Sequence, residues 1–539
     1  TGTRGVGKTT VSRILAKSLN CTGPDGQGGI TAQPCGVCHA CTAVDADRYP
    51  DYIEMERLAF SEFGLAAMSH RAGVLGWPQP MPAAAKYALT YLFVQAEFGL
   101  CCPLSMTDSL ARTLRKFGSA ELVAQHLPGL TTQVFDDLQQ GAMFMTEQGA
   151  GSDVAATTTL AVPDDSEPGQ TWRLHGDKWF CSNPDAALAM VLARTQGGPA
   201  GMKGVSLFLL PRTLPDGTPN HYRIIRLKDK MGTRSMASGE IRLEGAKAWL
   251  VGELGRGFVQ MADMVNNSRL SNGMRAAGLM RRAVAEALYI ARHRQAFGKH
   301  LIELPLMRRQ LAKIMLPAEQ ARTMMFQTAE ALRRADAGEP GAYALARLLT
   351  PLIKFRACRD ARRVTGDAME VRGGCGYIEE WADPRLVRDA HLGSIWEGTS
   401  NIVALDVVRA IQREDAQAAD DDGGHRPFDL PTGLARSQYQ GHQAETGHQR
   451  GHQDRHQPFL RAALHHLGMD IVGEHAVARL DPLHADAVGE VQTDARAVHL
   501  DQIRLAGPRP QREGLVAQGR PAAVAAEILD AVDRLACVA

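Results

Sequence analysis

The run Phe144-Met145-Thr146-Glu147-Gln148-Gly149-Ala150-Gly151-Ser152-Asp153-Val154 sets two hydroxyls, Thr146 and Ser152, on either side of a glycine-rich turn. Glycines let backbone close over a flat ligand, and the flanking hydroxyls can bond its polar edge. Far downstream the chain reads Ile395-Trp396-Glu397-Gly398-Thr399-Ser400-Asn401-Ile402, a lone carboxylate before a glycine where a helix is expected to begin. Read alone, Glu397 is either a general base or a residue that steadies a helix N-terminus beside Thr399 or Ser400.

Outward from the first run, residues 144–250 read as β-rich. Trp172 to Phe180 is hairpin-like, and 188–193, 205–210, 222–227 and 240–243 carry the apolar, β-branched texture of short strands. Residues 56–143 read as helical, with Ala85, Leu89 and Phe93, then Leu110 and Leu114, as apolar markers. Residues 251–413 are helical again, with Leu279, Ala283, Ala287 and Ile290 recurring on one face.

Together the two runs resemble the flavin-binding and catalytic-base segments of the acyl-CoA dehydrogenase family. Helices, a small β domain and then long helices is that family's layout. Over 56–413 the resemblance implies an α+β multi-domain fold: a helical domain (56–143), a small β-barrel-like domain (144–250) and a C-terminal four-helix bundle (251–413). It implies FAD, an acyl-CoA substrate, and a reaction in which a base takes the α proton of an acyl thioester while hydride leaves the β carbon. Glu397 matches the family's base. Thr146 and Ser152 match contacts to the flavin edge and pyrophosphate, and Phe180, Cys181 and Ser182 match the segment along the ring. Asn401 matches a cofactor contact just past the base. Arg294, opening Arg294-Gln295-Ala296-Phe297-Gly298, and the pair Gly373 and Gly374 match groups that touch the adenosine-diphosphate half of a neighbouring subunit's flavin, which implies a dimer or tetramer. Arg294 by itself also reads as a solvated helix residue, and Trp179 as core packing. Arg269 matches an arginine near the active site, and a structural ion pair is the equal alternative.

Trp396 before the base, and Lys178-Trp179-Phe180 before Ser182, are similar to the adaptive-response (AidB-type) branch. Its members bind FAD, show weak acyl-CoA dehydrogenase activity and bind DNA through a basic C-terminal region. A DNA-protective flavoprotein is therefore an alternative, although the branch's C-terminal region should begin near Glu414, where the texture changes. The N-terminal helical domain reads as shortened, and an electron acceptor such as electron-transfer flavoprotein is implied.

Composition bounds these expectations. The chain has 539 residues, 45% hydrophobic and 22% charged, with a net charge of +1 that exerts no global pull on nucleic acid or anionic membrane. No apolar run is long enough to span a bilayer and no signal peptide opens the chain. Ten cysteines in so long a chain do not read as a disulfide scaffold, so a cytoplasmic location is expected. The start at Thr1 reads as a truncated frame or a fragment.

The two ends have other textures. In Gly2-Thr3-Arg4-Gly5-Val6-Gly7-Lys8-Thr9, Gly2 and Gly7 bracket a Walker A loop, Lys8 would reach the terminal phosphates of Mg-ATP, and Thr9 would hold the magnesium. Cys21, Cys35, Cys38 and Cys41 make a tetrahedral zinc set. Residues 1–55 thus resemble the gamma/tau clamp-loader subunit of bacterial DNA polymerase III. The strand that should feed the P-loop and any later ATPase element are missing, so the segment reads as an orphan fragment of a chimeric or misassembled chain. Residues 414–539 hold 10 of the 18 histidines. His442, His448, His452 and His456 allow a metal-binding reading but fit no defined site, and the tail reads as disordered or frame-shifted.

Overall fold

In the computed structural model the described residues are 50–165 and 171–421. The Walker A loop, the four cysteines and the histidine-rich tail lie outside them. Helix α1 (Pro50–Arg57) runs into a wider turn at Leu58–Glu62, followed by α2 (Ala83–Ala96), α3 (Cys101–Phe117) and α4 (Ala120–Leu130). The Ser119 hydroxyl caps α4 by accepting from the Leu122 N–H at 3.3 Å, with Glu121 in the first turn where negative charge is favoured.

Seven strands follow: β1 (Gly141–Phe144), β2 (Leu160–Pro163), β3 (Thr171–Ser182), β4 (Leu188–Thr195), β5 (Val205–Pro211), β6 (Tyr222–Leu227) and β7 (Ser238–Val251). Pairing runs from β2 through β4, β5, β7 and β3 back to β2, so the sheet closes on itself, with β1 bridging β3 and β4 and β6 bordering β7. β1 and β2 run parallel to β4; the other pairings are antiparallel. Closure leaves few open edges for unwanted pairing.

The barrel's position explains why β4 and β5 read as unbroken apolar runs. Ala189, Val191, Ala193, Phe208 and Leu210 fill the barrel. Their neighbours Met190, Leu192, Leu207 and Leu209 join a second core with Met106, Leu110 and Leu114 of α3. Successive strand residues face opposite sides, and here both sides are dry.

The C-terminal part is built on three long helices: α5 (Gly257–His293), α6 (Pro305–Asp336, with proline in its first turn) and α7 (Ala342–Arg372). They pack side by side, α2 lies on α5 and α6, and α8 (Ala382–Gly393) and α9 (Ser400–Asp421) both pack on α7. Gly278 lets α2 approach α5 closely, since a Cβ there would lie 2.1 Å from Val94 Cγ1. Between α5 and α6, the strands β8 (Gln295–Ala296) and β9 (Lys299–His300) form a hairpin through Phe297 and Gly298, with φ of 54° and 73°. Two left-handed residues make the turn whose twist suits a tight hairpin. Among the described residues no helix is long and apolar enough to cross a membrane, and no cluster of His, Cys, Asp and Glu could hold a metal.

Candidate active site

Glu397 occupies the turn between α8 and α9, three residues before the first residue of α9. Its φ is +54° and that of Gly398 is +100°. A left-handed non-glycine residue costs on the order of 1 kcal/mol and persists where neighbours over-determine it. They do so here. Arg269 Nε of α5 donates to the Glu397 carbonyl at 3.0 Å, and Lys354 Nζ of α7 donates to the Gly398 carbonyl. Arg269 also pairs with Asp406 of α9, which accepts from Arg347 of α7 at 2.6 Å. Arg269 therefore serves both as an ion-pair partner and as the anchor of the Glu397 turn.

The Glu397 carboxylate does not cap α9. Its Oε1 accepts from Ser268 and its Oε2 from Asn272, two α5 residues four apart on one helix face. Behind it, Trp396 stacks on Phe98 with ring centres 6.5 Å apart. Trp396 Nε1 and Asn272 Oδ1 are buried without a hydrogen-bond partner among the described residues. Burial pushes the Cys358 thiol up to about 11 and holds Lys354 below the usual ammonium range.

The first sequence run forms a second group at one end of the barrel. Register places Met143 opposite Ser182, and the Trp179 N–H donates to the Thr146 carbonyl at 2.9 Å, so Thr146 and Ser182 lie on neighbouring chains. Phe180 is 55% exposed, whereas Cys181 is 0% exposed with its thiol in the barrel core. Lys228 Nζ sits 3.6 Å from the Trp179 ring centre and 4.6 Å from that of Phe180. The hydroxyls of Thr146, Ser182 and the exposed Ser152 have no partner among the described residues.

Beneath this face is an anchor that sequence reasoning missed. Glu147 accepts the N–H and hydroxyl of both Thr158 and Thr159 at 2.6–3.0 Å, and Lys178 Nζ at 2.7 Å. Lys178 also donates to the Leu192 carbonyl at 2.7 Å. Burial works to raise the Glu147 pKa, but Lys178 and the threonine donors outweigh it and bring it down to about 2. The sequence carried little signal for this pair, because β3 mixes buried positions with the exposed His175, Asp177 and Phe180, and a lysine in such a strand reads as solvated. The loop before β7 was also missed: Thr233 N–H donates to Asp389 of α8 and the Ser235 hydroxyl to Glu97, both at 2.6 Å, which docks the barrel on the helices.

Arg294 and the glycine pair form a third group. Arg294 donates to the Arg372 carbonyl at 2.9 Å, immediately before Gly373 and Gly374. Arg294 lies 22 positions beyond Asn272, roughly 33 Å along the helix at 1.5 Å per residue. Asn401 is exposed on the first turn of α9.

Residues 142–246 match the model described as "Acyl-CoA dehydrogenase, middle domain", 255–412 match "Acyl-CoA dehydrogenase, C-terminal domain" and 59–137 match "Adaptive response protein AidB N-terminal domain". The solved structure titled "Bd2924 apo-form" is 35% identical with a TM-score of 0.63, covering 69% of this chain and 73% of that one. This chain belongs to the acyl-CoA dehydrogenase family. Among the family's members, the putative acyl-CoA dehydrogenase AidB of Escherichia coli (strain K12) is 38% identical over 361 residues, 65% of this chain and 64% of that protein. The crystal structure of Caenorhabditis elegans ACDH-11 in complex with C11-CoA is 30% identical with a TM-score of 0.61, covering 69% of this chain and 65% of that one. The matched stretch thus spans just under two thirds of each of these two relatives.

Proposed function

We propose that this family member catalyses the FAD-dependent α,β-dehydrogenation of an acyl-CoA thioester in the cytoplasm, with Glu397 as the base. The observation that carries the proposal is the cradle around Glu397: one donor on each carboxylate oxygen, from Ser268 and Asn272, and a backbone turn tied down by Arg269 and Lys354. One bond per oxygen orients the carboxylate and still leaves lone pairs to accept a proton. The tethered turn keeps the base from swinging out of line, which preserves an attacking geometry.

The barrel face fits a flavin. Thr146 and Ser182 offer unpartnered hydroxyls on chains next to the exposed ring of Phe180, and Ser152 offers an exposed one across the glycine turn. Cys181 would contribute main chain only, and Asn401 would bond the cofactor from the start of α9. When bound, FAD accepts the hydride released from the β carbon. The separate Arg294–Gly373–Gly374 group would hold the adenosine-diphosphate half of a neighbouring subunit's FAD, which makes the assembly a dimer or tetramer. Electron-transfer flavoprotein is the proposed electron acceptor. The proposal also takes 56–143 as a helical domain, 144–250 as the barrel and 251–413 as a helical domain organised as a four-helix bundle. A DNA-protective role rests on residues from 414 onward, and clamp-loader, Mg-ATP and zinc roles rest on residues 1–55; neither contributes to this proposal.

The test is a visible spectrum of the purified protein followed by anaerobic titration with acyl-CoAs of several lengths. Flavin absorption that bleaches in the native chain but not in Glu397→Gln is the expected outcome. Equal bleaching in the variant would remove Glu397 from the chemistry, and a colourless folded protein would remove the flavin.

A further inference from the structure

Arg275 is the largest side chain that the described core encloses completely, with 0% relative exposure. It sits on α5 one turn beyond Asn272. Among the described residues none of its three guanidinium nitrogens has an aligned hydrogen-bond acceptor, and no carboxylate pairs with it. Its guanidinium carbon lies 4.7 Å from the ring centre of Trp396 and 5.6 Å from that of Phe98. Attraction to two rings offsets only part of what it costs to bury an unpaired charge. The neighbours that face Arg275 from α3 are Cys101 and Cys102; Arg275 pulls both thiols down, through a side-chain hydrogen bond as well in the case of Cys102, but burial outweighs it and keeps both thiols raised and neutral, so neither serves as its counter-ion.

Two further buried polar atoms without partners, Trp396 Nε1 and Asn272 Oδ1, belong to the residue before Glu397 and to a residue that donates to it. The unmet groups therefore cluster beside the base. They are mostly donors around one fixed positive charge. Water would satisfy donors without neutralising the charge; a carboxylate does both, and its two oxygens match the guanidinium fork.

We propose that Arg275 is a specificity-determining residue that binds the distal carboxylate of a dicarboxylic acyl thioester, with Trp396 Nε1 as a supporting donor. The inference rests on the dehydrogenase proposal above and deepens it. The α carbon at Glu397 and the carboxylate at Arg275 would mark the two ends of the acyl group, so the preferred substrates are α,ω-dicarboxylyl thioesters rather than simple fatty acyl ones.

The test measures equilibrium binding of glutaryl-CoA and adipyl-CoA against pentanoyl-CoA and hexanoyl-CoA to the flavin-loaded protein, by calorimetry, with the anaerobic flavin spectrum recorded alongside. The carboxylated thioesters should bind at least roughly tenfold more tightly than their methyl-ended partners. Arg275→Met should abolish that preference, bringing the two classes to equal affinity, and Arg275→Lys, which keeps the charge but not the fork, should retain part of it. Equal or tighter binding of the methyl-ended thioesters, a preference that survives Arg275→Met, or no binding of either class would overturn the inference. Arg275-dependent binding with no bleaching by any thioester would sustain the carboxylate subsite while refuting dehydrogenation.

Discussion

Replacing Lys178 with methionine probes what holds the Thr146 turn in place. The Lys178–Glu147 pair is 2.7 Å apart with side chains 0% and 5% exposed, and Lys178 also serves the Leu192 carbonyl. Removing one member of a buried pair strands the other charge, at about 3–5 kcal/mol. Lys178 and the threonine donors together bring the Glu147 carboxyl down to about 2 against an ordinary 4.5, a stabilisation on the order of 3 kcal/mol that the burial of Lys178, which lowers that ammonium's own pKa, offsets in part. Because the folded value is the lower one, that stabilisation is present above about pH 4.5 and is lost as pH falls toward about 2. Urea titrations followed by tryptophan fluorescence should place Lys178→Met about 3–5 kcal/mol below the native chain at pH 7, with a lower flavin-to-protein ratio. Adding Glu147→Gln should restore part of the loss, since the stranded charge is gone. A loss under about 1 kcal/mol, or a double variant no better than the single one, would refute the anchor. Arg223→Ala, which breaks an exposed pair with Glu244, serves as the control and should leave the midpoint unchanged.

Glu397→Gln should keep its flavin and fold while lowering the rate of flavin reduction by an acyl-CoA about 10²–10⁴-fold, measured by stopped-flow spectroscopy. Thr146→Ala and Ser182→Ala should each weaken FAD retention by roughly five-fold, the worth of one hydrogen bond of about 1 kcal/mol, read by equilibrium dialysis. Gly373→Ala should destabilise by about 1–3 kcal/mol, because the residue has φ of 72° and ψ of −150° and an added Cβ would lie 3.1 Å from the Arg294 guanidinium. The readout is a urea midpoint, and an unchanged midpoint would show that this backbone can relax.

Much of the scaffold was legible locally. The expected strands at 188–193 and 205–210 correspond to β4 and β5, because apolar runs bounded by turn residues report strands directly, and 222–227 corresponds to β6, a largely exposed strand rich in Tyr and Ile. The expected 240–243 strand is the middle of β7, which runs to 14 residues by pairing with β3, β5 and β6. β1 and β2, four residues each, were not read, since they are too short for a period to emerge. Cys181 shows a different limit. Lys178 and Cys181 are both buried although three positions apart, because the β3–β7 register shifts between them. An irregularity of that kind resets which face a side chain takes, and only the partner strand reveals it.

At the candidate site the division is similar. The sequence alone determined the residue types that identify the family: the two hydroxyls around the glycine turn, the lone Glu397, and the Arg294 and Gly373–Gly374 signatures. Those rest on short-range order, which a linear text preserves. The tertiary structure alone decided that Glu397 is left-handed and bonded by Ser268 and Asn272, that Arg269 is both ion pair and anchor, and that Arg275 is enclosed without a counter-ion. Each of these depends on groups more than 100 positions apart in sequence or on a partner that is missing, and bonding and burial between such groups are set by packing rather than by neighbours along the chain.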